Sequence, residues 1–65
     1  MDSIVRILVV DDEPDIRQLL RILLGNRGYQ VTEAASGEEA VHRLRSDPVY
    51  DLILMDIQMP IKIKS

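Results

Sequence analysis

The sequence predicts a small α/β domain, with three parallel strands joined by two crossover helices in the order βαβαβ. Three observations lead there. Two segments, Ile4–Val10 and Asp51–Met55, are short apolar runs interrupted only by Arg6 and Asp51, the pattern of strands covered on both faces. Between them, Ile16, Leu19, Leu20, Leu23 and Leu24 recur at helical spacing, as one buried helix face requires. Finally, Ser36-Gly37-Glu38-Glu39 has the form of a helix-opening box before the last apolar run.

Size and composition bound the function. Sixty-five residues make one domain at most, near the lower limit for a self-sufficient core. The chain is 46% hydrophobic and 29% charged, a globular balance and not a disordered one. Cysteine is absent, which removes disulfides and thiolate metal sites and makes a cytoplasmic location the expectation. No signal peptide is expected, and no apolar run approaches the roughly 20 residues of a membrane span. A net charge of −3, with two tyrosines as the sole aromatics, argues against nucleic acid as a partner of this segment.

Taken in order, the first strand, Ile4–Val10, is β-branched and apolar apart from Arg6. It runs into Asp11-Asp12-Glu13-Pro14, where proline suits the first helical position and acids suit the positive end of a helix. On the first helix Arg17, Gln18 and Arg21 are expected on the wet face, with Gly28 as the left-handed stop after Asn26-Arg27. Its leucines are core and not a zipper, because the periodic run is short. A weaker strand follows at Tyr29–Ala35, with Val31 its clearest inward residue. Ser36 should cap the second helix through the Glu39 amide while Glu39 reaches back. That helix continues through Ala40, Val41 and Leu44 to about Arg45, and Ser46-Asp47-Pro48 breaks it. His42 reads as a solvated face residue. After the last strand, Ile61-Lys62-Ile63-Lys64-Ser65 alternates apolar and polar; it suits a half-exposed strand or a frayed terminus, and its lysines read as solubilising charges.

The chemistry gathers at strand ends. Parallel neighbours ending at Asp11-Asp12 and at Asp56 would crowd three carboxylates at one sheet edge, where open α/β sheets place their ligands. A divalent cation is the simplest relief, and an oxygen-only set suits Mg²⁺ better than Zn²⁺. A cation there would also screen the approach of a phosphoryl group to Asp56 as a nucleophile. The plainer readings are that Asp11 and Asp12 cap the first helix and that Asp56 ends a strand at a turn. A third reading, a small nucleotide-binding unit, is disfavoured, since that turn needs glycines and open amides where this chain has acids.

Ile7-Leu8-Val9-Val10-Asp11-Asp12-Glu13-Pro14, then Ser36-Gly37-Glu38-Glu39-Ala40, then Asp51-Leu52-Ile53-Leu54-Met55-Asp56-Ile57-Gln58-Met59-Pro60 together resemble the receiver domain of two-component response regulators. The resemblance covers residues 4–60 and rests on the full set of motifs in order and at receiver spacing. It implies a partial receiver over residues 1–60, followed by a divergent tail, 61–65. Carried over residue by residue, Asp56 would accept a phosphoryl group from the phosphohistidine of a sensor histidine kinase or phosphotransfer protein. Asp12 would bind Mg²⁺ directly, Asp11 would act through a metal-bound water, and the backbone carbonyl of Gln58 would complete the protein's share of the metal shell. Binding is expected to be weak in this segment, because few ligands are placed in advance.

The resemblance also implies a flavodoxin-like doubly wound sheet of strand order 2-1-3-4-5, of which these residues supply strands 2, 1 and 3. Ile61-Lys62 stands where the family turns on a glycine. The Ser/Thr that ends the fourth strand and the lysine that ends the fifth have no counterpart here, and Lys62 and Lys64 do not fill that role. Two expectations follow. The segment should be an inefficient phosphoacceptor and not an enzyme in its own right, although intact receivers catalyse their own phosphorylation. It should also pair with a second copy through the open edge of its third strand, giving the order 2-1-3-3′-1′-2′. The competing reading is a structural or engineered half-fold that self-assembles without phosphotransfer.

Overall fold

A computed structural model describes residues 4–47 and 49–55 of the chain. Strand β1 (Arg6–Val10), helix α1 (Pro14–Gly25), strand β2 (Gln30–Ala34), helix α2 (Gly37–Ser46) and strand β3 (Leu52–Met55) follow one another along the chain. The strands form one sheet in the order β2-β1-β3, parallel at both junctions, with Ile7 opposite Val31 and Leu52 and with Val10 opposite Ala34 and Met55. This is the expected architecture.

β1 is the centre of the molecule. Its residues Ile7, Leu8, Val9 and Val10 are all buried, because strands flank it on both sides and the helices pack over both β1 and β2. Alternation along the strand divides its side chains between the two faces. Leu8 and Val10 join Ala34 and Ala40 in the core beneath α2, with Leu44 and Tyr50 packed against them. The strand begins at Arg6 and not at Ile4, which is 64% exposed. The reason is pairing: β2 starts at Gln30, whose N–H donates to the Val5 carbonyl at 2.9 Å, and among the described residues no partner strand extends past it. On β2 the fully buried residue is Ala34, while Val31, expected as the inward residue, is half-buried.

The caps follow the local chemistry. Beyond α1, the Tyr29 N–H donates to the Leu24 carbonyl at 3.2 Å and the Gly28 N–H to the Gly25 carbonyl at 3.0 Å. That is a Schellman pair, and it puts Gly28 at φ +90°, which glycine adopts without a Cβ penalty. At the start of α2, the Ser36 Oγ accepts from the Glu39 N–H at 3.1 Å. The return bond differs from expectation: Glu39 Oε1 accepts from the Ala35 amide at 3.4 Å, one residue before the cap.

Two expectations about burial are corrected. β3 was expected to be covered on both faces, yet Leu52, Ile53 and Met55 are 48%, 43% and 52% exposed. β3 is the edge strand of the described sheet, and among the described residues neither helix packs over it. The stripe of α1 is only partly used for the same reason. Leu20 and Leu24 are half-buried, whereas Ile16, Leu19 and Leu23 remain exposed, because α1 covers β1 and β2 but leaves its β3 side open.

Candidate functional site

The strand-to-helix turn after β1 carries the acids. Asp11 continues the sheet by one bond, its N–H donating to the Ala34 carbonyl at 3.1 Å, and only 5% of the residue is exposed. Its carboxylate turns back on the chain: Oδ1 accepts from the Glu13 N–H at 2.8 Å, an Asx-type closure. The cap position of α1 belongs to Glu13, extended at φ −97° and ψ 117°, with no side-chain cap bond and with Pro14 at the first helical position. Neither aspartate therefore caps α1 as the plainer reading supposed. Asp11 Oδ2 has no hydrogen-bond partner among the described residues, and Asp12 is exposed.

The site opens onto a cleft of about 540 Å³ between α1 and β3, lined by Val9, Val10, Asp11, Glu13, Ile16, Leu20, Leu54 and Met55. Its rim is acidic and its floor apolar. Register brings the two relevant strand ends together, since Val10, just before Asp11, pairs with Met55, the last described residue of β3. Asp56 and Gln58 lie outside the described residues. Among the described residues no group of three or more acidic, histidine or cysteine side chains is placed to hold a metal ion.

The sequence reading missed a half-buried charge network beside the turn. Arg17 and Arg21, assigned to the wet face of α1, both reach Glu33 of β2: Arg17 Nε lies 3.2 Å from Glu33 Oε1, and Arg21 Nε lies 2.9 Å from Oε2. The Arg17 side chain is only 16% exposed, and its Nη1 donates to the Asp11 carbonyl at 2.7 Å. A signal was available. Glu33 alternates with buried Ala34 and so shares the α1 face of β2 with Val31, and a carboxylate on a covered face requires a cationic partner. His42 is exposed, as expected, with its carbonyl accepting from Ser46 Oγ at 3.0 Å.

A family model for the response regulator receiver domain matches residues 7–62. The chain belongs to the response regulator receiver family. Among its relatives, the transcriptional regulatory protein ResD of Bacillus subtilis is 49% identical over 55 residues, which is 85% of this chain and 22% of ResD. The autoinducer sensor kinase/phosphatase CqsS of Vibrio cholerae is also 49% identical over 55 residues, covering 85% of this chain and 8% of that protein. The solved structure of the chemotaxis protein CheY4 of Vibrio cholerae superposes with a TM-score of 0.83 at 36% identity, over 91% of this chain and 48% of the CheY4 chain. This receiver segment thus spans about half of that solved domain and under a quarter of these two curated relatives. The 2-1-3 parallel order with two helices is the flavodoxin-like arrangement of its structural neighbour. No helix among the described residues is long and apolar enough to cross a membrane.

Proposed function

We propose that this receiver segment carries the phosphoacceptor site of a two-component signalling protein, with Asp56 as the acceptor and a sensor histidine kinase or phosphotransfer protein as the donor. The observation that carries the reading is the register of β1 with β3. Val10 pairs with Met55, the residues that precede Asp11 and Asp56 in the sequence, and the carboxyl ends of such strands are where open α/β sheets bind ligands. In the transfer, an Asp56 carboxylate oxygen attacks the phosphorus. The P–N bond to the donor histidine breaks, its electron pair returns to the imidazole nitrogen, and that nitrogen takes a proton from solvent. The product is an acyl phosphate whose added negative charge biases a surface elsewhere in the parent protein.

The donor set fits Mg²⁺. It is oxygen-only, Asp12 is exposed to solvent, and Asp11 keeps one carboxylate oxygen without a protein partner among the described residues. Asp12, Asp11 through water, Asp56 and the Gln58 carbonyl are the residues that would hold the ion. When bound, it supplies charge screening between the Asp56 carboxylate and the phosphoryl oxygens. The chain itself contributes orientation at one ligand: the Asp11 carboxylate is held by the Glu13 amide, while the exposed Asp12 has still to be ordered on binding.

Residues 1–60 are read as the partial receiver and 61–65 as a tail apart from it. Incubation with Mg²⁺ and a small-molecule phosphodonor, followed by intact-mass measurement, should show slow modification that disappears in Asp56→Asn. Modification that persists in Asp56→Asn overturns the assignment. If the segment alone stays unmodified, fusion to the second half of a receiver should restore the reaction, since the stabilising donors of the phosphoryl group come from there.

One observation favours self-association in addition. The far edge of β3 is unpaired among the described residues, and Leu52, Ile53 and Met55 are exposed beside it, which makes a pairing template. Two copies joined antiparallel at β3 would close as a dimer. The odd residues of β1 bond to β2, as the Asp11 N–H to the Ala34 carbonyl shows, so the Leu8 backbone faces β3. Its pairing with Ile53 turns the Leu54 N–H to β1 and the Ile53 N–H outward, so Ile53→Pro should split the pair. Sedimentation over a wide concentration range checks this, and a monomer throughout refutes it.

A further inference from the structure

We infer that Arg17 is a positioning residue for the acidic turn, setting the orientation of Asp12 through the peptide unit that joins it to Asp11. The inference rests on reading Asp11 and Asp12 as the cation-binding pair. Arg17 lies in the first turn of α1, where its own N–H donates to the Glu13 carbonyl at 3.1 Å. Its guanidinium reaches back under the turn and holds two acceptors at once, the Asp11 carbonyl through Nη1 at 2.7 Å and Glu33 Oε1 through Nε at 3.2 Å. A planar guanidinium presents two separate donor nitrogens in a fixed fork, whereas a lysine ammonium would have to meet both acceptors from a single point.

The Asp11 carbonyl needs that donor. The Asp11 N–H still finds the Ala34 carbonyl, but β2 ends at Ala34, so the Asp11 carbonyl has run past the ladder. A covered backbone carbonyl without a partner is costly, and Arg17 supplies the bond. With the Asp11 N–H, carbonyl and carboxylate all engaged, the planar peptide that begins at the Asp11 carbonyl and ends at the Asp12 nitrogen is fixed. Asp12 has no side-chain bond of its own among the described residues, so its direction is inherited from that plane. Glu33, braced by Arg21 at 2.9 Å, completes the clamp.

Positioning and simple electrostatics give opposite signs. A cation beside a metal site repels Mg²⁺ by Coulomb's law, so removing Arg17 would tighten binding if charge were all that mattered. If Arg17 positions Asp12, its removal weakens binding, by about tenfold or more as for other supporting bonds around metal ligands. The experiment titrates the 65-residue chain with Mg²⁺ and follows backbone amide shifts, for wild type, Arg17→Gln, Arg17→Lys and Arg21→Gln. Hydrogen exchange of the Glu13 amide is measured without metal. Weaker Mg²⁺ binding in both Arg17 variants, little change in Arg21→Gln, and faster Glu13 exchange in Arg17→Gln are expected. Tighter binding in Arg17→Gln, or affinity restored by Arg17→Lys, overturns the inference. Should Arg17→Gln unfold, Arg17→Lys, which keeps a cation beside Glu33, carries the comparison. If wild type binds no Mg²⁺, the functional reading fails by itself. The exchange arm still decides the positioning role, and unchanged Glu13 protection in the Arg17 variants refutes it.

Discussion

The same chemical deletion should have very different costs at Leu8 and at Leu23. Leu8 is fully buried at the centre of β1, against Val10, Ala34 and Ala40. Leu8→Ala removes its transfer free energy and leaves a cavity between strands and helix that cannot collapse, a loss of about 2–5 kcal/mol. Leu23 is 51% exposed on α1. Leu23→Ala forfeits only about half the transfer energy and opens no cavity, so about 1 kcal/mol is expected. A core in a chain this short supplies roughly 3–5 kcal/mol in all. Leu8→Ala should therefore be largely unfolded without denaturant, while Leu23→Ala keeps most of its folded population. Urea titration followed by far-UV circular dichroism, at one fixed low protein concentration, measures both. Equal losses at the two positions would refute the reasoning, because Leu23 would then be covered in solution by something the isolated fold does not supply. A loss below about 1 kcal/mol at Leu8 would refute the central place given to β1.

Ser36→Ala removes the oxygen that accepts from the Glu39 amide and should cost about 1 kcal/mol, with Ser36→Gly costing only a few tenths; thermal melts of the three chains check it. Gly28→Ala should destabilise by about 1–2 kcal/mol. A Cβ there meets nothing within 4 Å, so the loss is conformational, and Gly28→Asn should recover part of it in the same melts. Asp12→Ala should raise stability in metal-free buffer by relieving carboxylate repulsion and should abolish any gain in melting temperature at high Mg²⁺. A fall in stability with no Mg²⁺ effect in wild type would return the aspartates to a purely structural role.

Much of this protein is local and therefore legible in its sequence. The Ser36 cap, the Gly28 stop, Pro14 at the first turn of α1 and the apolar run of β1 each depend on residues within a few positions, so their chemistry identifies them. Parallel order followed from the alternation of strand and helix, because right-handed crossovers leave few alternatives. The acidic turn was legible as well, from two aspartates placed where a buried strand ends.

What the sequence could not show is what each face meets across space. β3 and β1 have the same apolar character, yet β1 is buried and Leu52, Ile53 and Met55 are not, because burial depends on neighbours and not on the run itself. Arg17 and Arg21 sit at positions a helical wheel gives to water, but their long side chains cross to Glu33 on a strand 16 and 12 residues away in the chain. Only the packing of α1 on β2 brings that carboxylate within reach. The Asp11 carbonyl, stranded where β2 ends, becomes a hydrogen-bond acceptor for the same reason, and no periodicity in the chain records that vacancy.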